Sequence, residues 1–388
     1  MSMRAVRRAV RRSLQSVPGG EAVLSRARAV YDGLPGEDGR RMAWARDEAG
    51  RLRRAIDRDL DRFVLVFDTE VTGLGYGDLL HMLGVARFVV AHDVRTEFVF
   101  VEPGADWSGR SDAASDVDEL LDDFIGIVSA LLDPEVGRAR RVSPDDLPSV
   151  LEGHGRTHVL FEDFVRDRRP FFRDCANVFN VLMAEADGGV VDRTLFSPAE
   201  FEPHRPSGFD IGPYVSWQCR YSRLGIDEGR RATSDEFIAG YEYLQRRFPD
   251  HRILVVSDES GCRHYRDLVG ELDIDDVAFS KPESPGFLSD AALVMASDFF
   301  FWFRAGGMCI IPFFSRLPYE ALGPVMNEMM WDEERLTPWQ EPTQTFIELE
   351  KHQFVADRTL DVALIGSRWD GQPNRFMSDG RGDRGVRP

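Results

Sequence analysis

Short apolar runs alternate with longer amphipathic ones in the second half of the chain. The apolar runs begin at Tyr214, Arg252 and Ser297, and polar or glycine residues follow each of them. Residues 233–248 lie between the first two runs, and their apolar side chains fall on one helical stripe: Phe237, Tyr241, Leu244 and Phe248. Strands that alternate with helices predict a parallel α/β sheet.

The first half of the chain carries a similar pattern. Residues 63–67 form a buried-strand run, residues 68–78 are rich in glycine, and residues 79–90 have helical spacing. A second strand is predicted at 96–101, and the acidic stretch 103–123 is interpreted as a solvated loop that enters a helix over 116–132. We therefore expect an α/β protein with two Rossmann-like domains facing a cleft, preceded by extra N-terminal helices.

The length of 388 residues is enough for two domains with sizeable cores. Turn-forming residues and changes in composition place the predicted boundaries. We predict five segments: a basic helical segment 1–61, a Rossmann-like acceptor-side domain 62–207, a Rossmann-like donor domain 208–330, a helical segment 331–370 and a disordered tail 371–388.

The net charge of -18 argues against a general nucleic-acid-binding protein. Residues 1–60 are the exception, with 14 Arg against 8 acidic side chains. Residues 1–17 have the spacing of a basic amphipathic helix, which could contact an anionic membrane surface. We favour a helix that packs on the protein itself, because its apolar face lacks the large apolar residues typical of interfacial helices. The four cysteines are widely spaced, and no apolar run is long enough to span a bilayer, so a cytoplasmic location is expected.

Arginine supplies all but two of the 48 basic residues, and the lysines are Lys281 and Lys351. We interpret this bias as the coding preference of a GC-rich bacterial genome. It lowers the weight of any single arginine as a functional residue.

Polar residues follow the predicted strands of the second domain. Since ligands bind at the carboxyl ends of strands in open α/β sheets, these residues are the candidate binding site. They are Arg220, Arg223, Ser257, Asp258, Arg304, Gly306 and Gly307. Arginine forks, carboxylates and a Gly-Gly pair fit a diphosphate-linked ligand. Each also has a structural interpretation, and Ser257-Asp258 in particular is typical of a helix cap.

The glycine-rich stretch of the first domain is a second candidate. Gly73, Gly75, Gly77 and Asp78 stand between a strand and a helix, where backbone N–H groups bind anions or nucleotides. The glycine spacing does not match the dinucleotide fingerprint, so a nicotinamide site is disfavoured. An S-adenosylmethionine-dependent methyltransferase using this loop is one alternative, and glycines that only permit close packing are another.

Together these motifs resemble the fucosyltransferase-type GT-B glycosyltransferases, the group of the α1,6- and protein O-fucosyltransferases. The resemblance rests on Gln218-Cys219-Arg220, on Ser257-Asp258, on the helix, strand and small-residue loop from Asp290 to Gly307, and on the glycine-rich loop. It adds Gln218 and Asp290 to the candidate binding residues. It implies an inverting, metal-independent transfer of a sugar from a nucleotide diphosphate donor such as GDP-fucose to a hydroxyl acceptor. No cofactor is implied beyond that co-substrate.

The resemblance assigns the leaving diphosphate to Arg220 and departs from the family at Gln218, where the family has histidine. A neutral amide carries neither a proton nor a charge, which leaves a non-catalytic sugar- or nucleotide-binding protein as a further alternative. For the general base, Asp78 is the leading candidate, with Glu70 and His81 beside it. Asp273-Ile274-Asp275 matches the metal-binding DxD motif of the other glycosyltransferase fold. It precedes a predicted strand instead of following one, so we predict no metal site.

Overall fold

We describe the protein from a computed structural model. It describes residues 37–72, 75–102, 117–152, 155–168, 172–184, 195–219, 232–272, 274–303, 307–323 and 344–348. These residues form two all-parallel sheets with helices packed on them. The predicted α/β fold class, with two units that are each built on a parallel sheet, is confirmed.

The first sheet has four strands in the order β3-β2-β1-β4. Its strands are β1 (Arg62–Asp68), β2 (Arg95–Val101), β3 (Gly137–Val142) and β4 (Thr157–Val159). The helices of this region are α1 (Glu37–Ile56), α2 (Thr69–Thr72), α3 (Tyr76–Val90), α4 (Val117–Leu131), α5 (Leu147–Leu151), α6 (Glu162–Arg166), α7 (Phe172–Ala184) and α8 (Pro198–Phe201). A 3-10 turn over Glu202–His204 follows α8.

The second sheet has six strands in the order β10-β9-β8-β5-β6-β7. Its strands are β5 (Tyr214–Gln218), β6 (Arg252–Val256), β7 (Val277–Phe279), β8 (Phe299–Phe303), β9 (Tyr319–Gly323) and β10 (Gln344–Glu348). The helices are α9 (Ser234–Arg247), α10 (Glu259–Glu271), α11 (Phe287–Met295) and α12 (Ile310–Phe313), with a 3-10 turn over Gly307–Cys309.

Helices cover both faces of the second sheet. On one face, the Trp217 ring stacks on Phe237 of α9 with centroids 4.7 Å apart, and Phe237 stacks on Tyr265 of α10 at 4.9 Å. Gly240 permits this packing, because a Cβ there would lie 2.7 Å from the Trp217 ring. On the other face, side chains of β6 and β8, such as Leu254 and Phe300, belong to the apolar cluster that also contains the core residues of the first sheet.

The two sheets are therefore joined by a continuous apolar core. At this seam, Tyr76 of α3 stacks on Phe287 of α11 with ring centroids 4.6 Å apart and planes 6° from parallel. Phe179 of α7 packs edge-on against Phe314 at 4.7 Å, and the Phe196 backbone N–H donates to the Phe314 carbonyl at 3.0 Å.

The structure corrects two of the predicted elements. Helix α3 begins at Tyr76, so Gly77 and Asp78 lie in its first turn and not in a loop. The helix predicted within 331–370 is wrong at Gln344–Glu348, which is strand β10. That segment pairs in parallel with β9, where Gln344 lies opposite Tyr319, so sheet pairing overrides the local helical spacing.

Other predictions fall outside the described residues. These include the basic helical face within residues 1–17 and the tail 371–388. The segment boundaries as a whole stay predictions. Among the described helices, none is long and apolar enough to cross a membrane.

Candidate functional site

Seven of the twelve candidate ligand-binding positions and two of the three candidate bases can be placed. They are Gly75, Gly77, Asp78, His81, Gln218, Ser257, Asp258, Asp290 and Gly307. Gly73, Arg220, Arg223, Arg304 and Gly306 lie outside the described residues. Gly307 opens the 3-10 turn that comes after β8.

The carboxyl ends of β5 and β6 lie side by side. Gln218, the last residue of β5, pairs with Val256, and the next backbone N–H, that of Cys219, donates to the Val256 carbonyl at 3.1 Å. The Gln218 side chain is buried, and its Oε1 has no hydrogen-bond partner within the described part of the chain. A buried acceptor without a partner costs about 1–3 kcal/mol, so Gln218 offers an unsatisfied group at the edge where ligands bind.

Asp258 caps helix α10 at the carboxyl end of β6. Its Oδ1 accepts from the Gly261 backbone N–H and from the Ser260 hydroxyl, both at 2.7 Å. The helix-cap interpretation is therefore confirmed for Asp258. The cap also fixes the N-terminus of α10 directly after the end of β6, the strand next to β5.

Asp290 forms a buried ion pair with Lys281. The Lys281 Nζ lies 2.9 Å from Asp290 Oδ2 and donates to the Ser284 carbonyl at 2.6 Å. Asp290 Oδ1 has no hydrogen-bond partner in the described residues. Burial raises the pKa of the Asp290 carboxyl, and the Lys281 charge opposes that rise.

Cys262 of α10 connects this pair to the end of β6. Its Sγ lies 3.6 Å from the Ser257 carbonyl oxygen and 3.7 Å from the Ser280 hydroxyl, which precedes Lys281. Burial raises the pKa of the Cys262 thiol, so it is a packing group and not a nucleophile. The structure thus brings Ser257, Asp258 and Asp290 to one end of the second sheet.

The glycine-rich stretch of the first unit reaches the same seam through Tyr76. The Tyr76 hydroxyl donates to Asp123 Oδ2 at 2.7 Å while its ring stacks on Phe287, three residues before Asp290. Burial raises the pKa of Tyr76, and the charges of Asp123 and Asp290 raise it further. Tyr76 therefore links the start of α3 to the first turn of α11, which contains Asp290.

Asp78 lies close to the backbone at the start of α3. A Cβ on Gly75 would be 2.9 Å from Asp78 Oδ2, so the carboxylate folds back over Gly75. Gly75 itself has an ordinary extended backbone, with φ -121° and ψ 127°. An acidic side chain in the first turn also stabilises the positive end of the helix dipole.

His81 is a core residue. It packs edge-on against Phe179 at 6.1 Å, and burial lowers the pKa of its imidazole to about 4. His81 is therefore neutral at physiological pH and out of reach of an acceptor hydroxyl. The side chain of Glu70, the remaining candidate base, lies outside what the structure describes.

Within the described residues, no group of three or more His, Cys, Asp or Glu side chains could hold a metal ion. The predicted absence of a metal site stays a prediction, because the loops after β5 and β8 lie outside those residues.

Comparison with known proteins gives likenesses of fold only. No protein-family model and no curated protein matches the chain. The fold resembles E. coli heptosyltransferase WaaC with ADP (11% identity, 80% of this chain and 99% of that chain, TM-score 0.45). It also resembles E. coli ADP-heptose LPS heptosyltransferase II (9% identity, 79% and 98%, TM-score 0.43) and the Neisseria meningitidis UDP-GlcNAc 2-epimerase bound to UDP-GlcNAc (9% identity, 80% and 93%, TM-score 0.40). Identities this low say nothing about substrate.

Sequence reasoning missed Lys281 and Tyr76. Lys281 carried a usable signal, because a lysine in a chain that otherwise uses arginine is a departure from the coding bias. Tyr76 stood inside the glycine-rich stretch, but its partner Phe287 belongs to the other sheet. No local pattern connects two residues so far apart along the chain.

Proposed function

We propose that the protein is a glycosyltransferase that moves a sugar from a nucleotide diphosphate donor to a hydroxyl acceptor. The observation that carries the proposal is the meeting of Gln218, Ser257 and Asp258 at neighbouring strand ends, beside the N-terminus of α10. Such an edge of a parallel sheet is where nucleotides bind, and the helix N-terminus favours their phosphates.

The proposed reaction is a single inverting displacement. The acceptor hydroxyl oxygen attacks the anomeric carbon, and the bond from that carbon to the diphosphate oxygen breaks with its electron pair on the leaving group. Arg220 would neutralise the diphosphate charge, while the Asp78 carboxylate would take the hydroxyl proton. Arg223, Arg304 and the loop at Gly306 and Gly307 would complete the phosphate site.

The donor sugar is a finer proposal. GDP-fucose follows from the resemblance of Gln218-Cys219-Arg220 and the later motifs to the fucosyltransferase type. Calorimetric titration with GDP-, UDP- and ADP-linked sugars compares donors directly. Preference for a UDP or ADP donor would remove the fucosyltransferase proposal while leaving the general one standing.

Replacement of Arg220 by alanine is expected to weaken nucleoside diphosphate binding by about 1.5–3 kcal/mol, the scale of a charged hydrogen bond. Calorimetry on Arg220→Ala measures this directly. Arg246→Ala is the matched control, because Arg246 is an exposed arginine on α9 that pairs with Glu242. Equal affinity for Arg220→Ala and the control would remove Arg220 from the site.

Transfer activity is expected to survive a chelator. The reason is that the proposed site neutralises the donor diphosphate with arginines and the α10 N-terminus. Donor turnover is measured in EDTA and again after addition of Mn²⁺ or Mg²⁺. Loss of turnover in EDTA that either metal restores would contradict metal independence.

A nucleotide- or sugar-binding protein without turnover is the second candidate function. The observation that favours it is the neutral side chain of Gln218 together with the buried, neutral His81. Release of nucleoside diphosphate from a panel of donors with hydroxyl acceptors separates the two functions, because a binder releases none. A parallel titration with S-adenosylmethionine tests the methyltransferase alternative.

A further inference from the structure

A buried carboxylate in the first sheet holds three arginines. Glu97 of β2 is 1% exposed, and its Oε2 lies 2.6 Å from Arg62 Nη2 and 3.1 Å from Arg140 Nη2. Its Oε1 accepts a short hydrogen bond from Arg138. Arg95 lies opposite Arg62 in the strand register and is exposed.

This cluster carries more positive charge than Glu97 can balance. Within the described part of the chain, every ion pair of Arg62, Arg138 and Arg140 goes to Glu97, and Arg95 has none. Three guanidinium groups therefore surround one carboxylate, and Arg95 lies near enough to repel Arg138. Arg62 is the structural member, because it also donates to the Val150 carbonyl at 3.0 Å and is only 12% exposed.

The remaining arginines are open to solvent. The side chains of Arg138 and Arg140 are 49% and 38% exposed. Burial lowers the pKa of Arg138, and repulsion from Arg95, Arg140 and Arg62 lowers it further. A second anion at this surface would relieve a repulsion that Glu97 relieves only in part.

A purely structural role does not account for all four residues. One arginine is enough to neutralise a buried carboxylate, and Arg62, which is only 12% exposed, already does so for Glu97. The coding bias explains why these cations are arginines rather than lysines. It does not explain why four of them converge on one patch of a chain whose net charge is -18.

We propose that Arg95, Arg138 and Arg140 form a binding site for a phosphate-bearing anion on the first sheet. Guanidinium forks match the geometry of phosphate oxygens, and Glu97 holds two of the three in place. The site lies toward the amino ends of β1, β2 and β3, whereas the candidate donor site lies at the carboxyl ends of the second sheet. It is therefore independent of the proposed transferase function.

The test is calorimetric titration with inorganic pyrophosphate at low salt. Arg95→Ala is expected to weaken binding about tenfold or more, because it removes a charged hydrogen bond without touching Glu97. The matched control is Arg166→Ala, which deletes an exposed arginine paired with Glu162 on α6.

Vesicle co-sedimentation identifies the source of the phosphate. Retention of wild type, but not Arg95→Ala, on phosphatidylglycerol vesicles points to a lipid headgroup. Arg95-dependent pyrophosphate binding without vesicle retention points to a soluble phosphate. The proposal is overturned if wild type binds neither probe, or if Arg95→Ala and Arg166→Ala behave alike. The second result would place any bound pyrophosphate elsewhere, including at the donor site.

Discussion

Replacement of Lys281 by methionine is expected to lower the free energy of unfolding by about 3–5 kcal/mol, the cost of leaving a buried charge unpaired. The Lys281 Nζ and Asp290 Oδ2 are 2.9 Å apart, and the two side chains are only 14% and 9% exposed. Methionine fills a similar volume but offers no positive charge. The Asp290 carboxylate then keeps its desolvation penalty and loses the charge that offsets it.

Urea unfolding of wild type, Lys281→Met and Lys281→Met/Asp290→Asn measures this effect. The double variant removes the unpaired carboxylate and is expected to recover much of the lost stability. The difference in free energy of unfolding between wild type and Lys281→Met is also expected to shrink as pH falls, because protonation neutralises Asp290. A loss below about 1 kcal/mol, the scale of an exposed ion pair, would show that the pair is not buried in solution. Failure of the second substitution to rescue would assign the loss to altered packing instead.

Local sequence patterns predicted the fold where the chain's own periodicity agrees with the final packing. Helix α9 is one such element, since Thr233 and Glu236 form a capping box and Phe237 and Leu244 are buried on one face. Strand β10 shows the limit. Its residues have helical spacing, and only the neighbouring edge of β9 makes them a strand.

The candidate site could be predicted in part because parallel strands align their carboxyl ends. That rule placed Gln218 beside Ser257 and Asp258 without any knowledge of tertiary contacts. It could not find Lys281, whose importance comes from burial and from a partner across a turn. Contacts between the two sheets, such as Tyr76 on Phe287, depend on how distant segments pack.

Replacement of Glu320 by glutamine is expected to stabilise the protein at pH 8 by about 3 kcal/mol, the free energy of a pKa shift of roughly two and a half units. Glu320 of β9 is fully buried, and burial raises the pKa of its carboxyl from 4.5 to about 7. The Tyr243 hydroxyl donates to its Oε2 at 2.6 Å, while Oε1 has no hydrogen-bond partner within the described residues. The Tyr243 hydrogen bond and the nearby Arg247 charge do not offset the loss of hydration of the Glu320 carboxylate.

The sign of the pH dependence follows from that raised pKa. Between pH 4.5 and about 7 the folded state holds a proton on Glu320 that the unfolded chain releases, so the free energy of unfolding falls as pH rises through this window. Glutamine keeps an acceptor for Tyr243 and has no proton to lose. Urea unfolding from pH 4 to pH 8 should therefore show little difference between Glu320→Gln and wild type at pH 4 and the full difference at pH 8. Glu271→Gln, an exposed change on α10, is the control for altered net charge. A Glu320→Gln protein that is no more stable than wild type at pH 8 would mean that water reaches the carboxylate in solution.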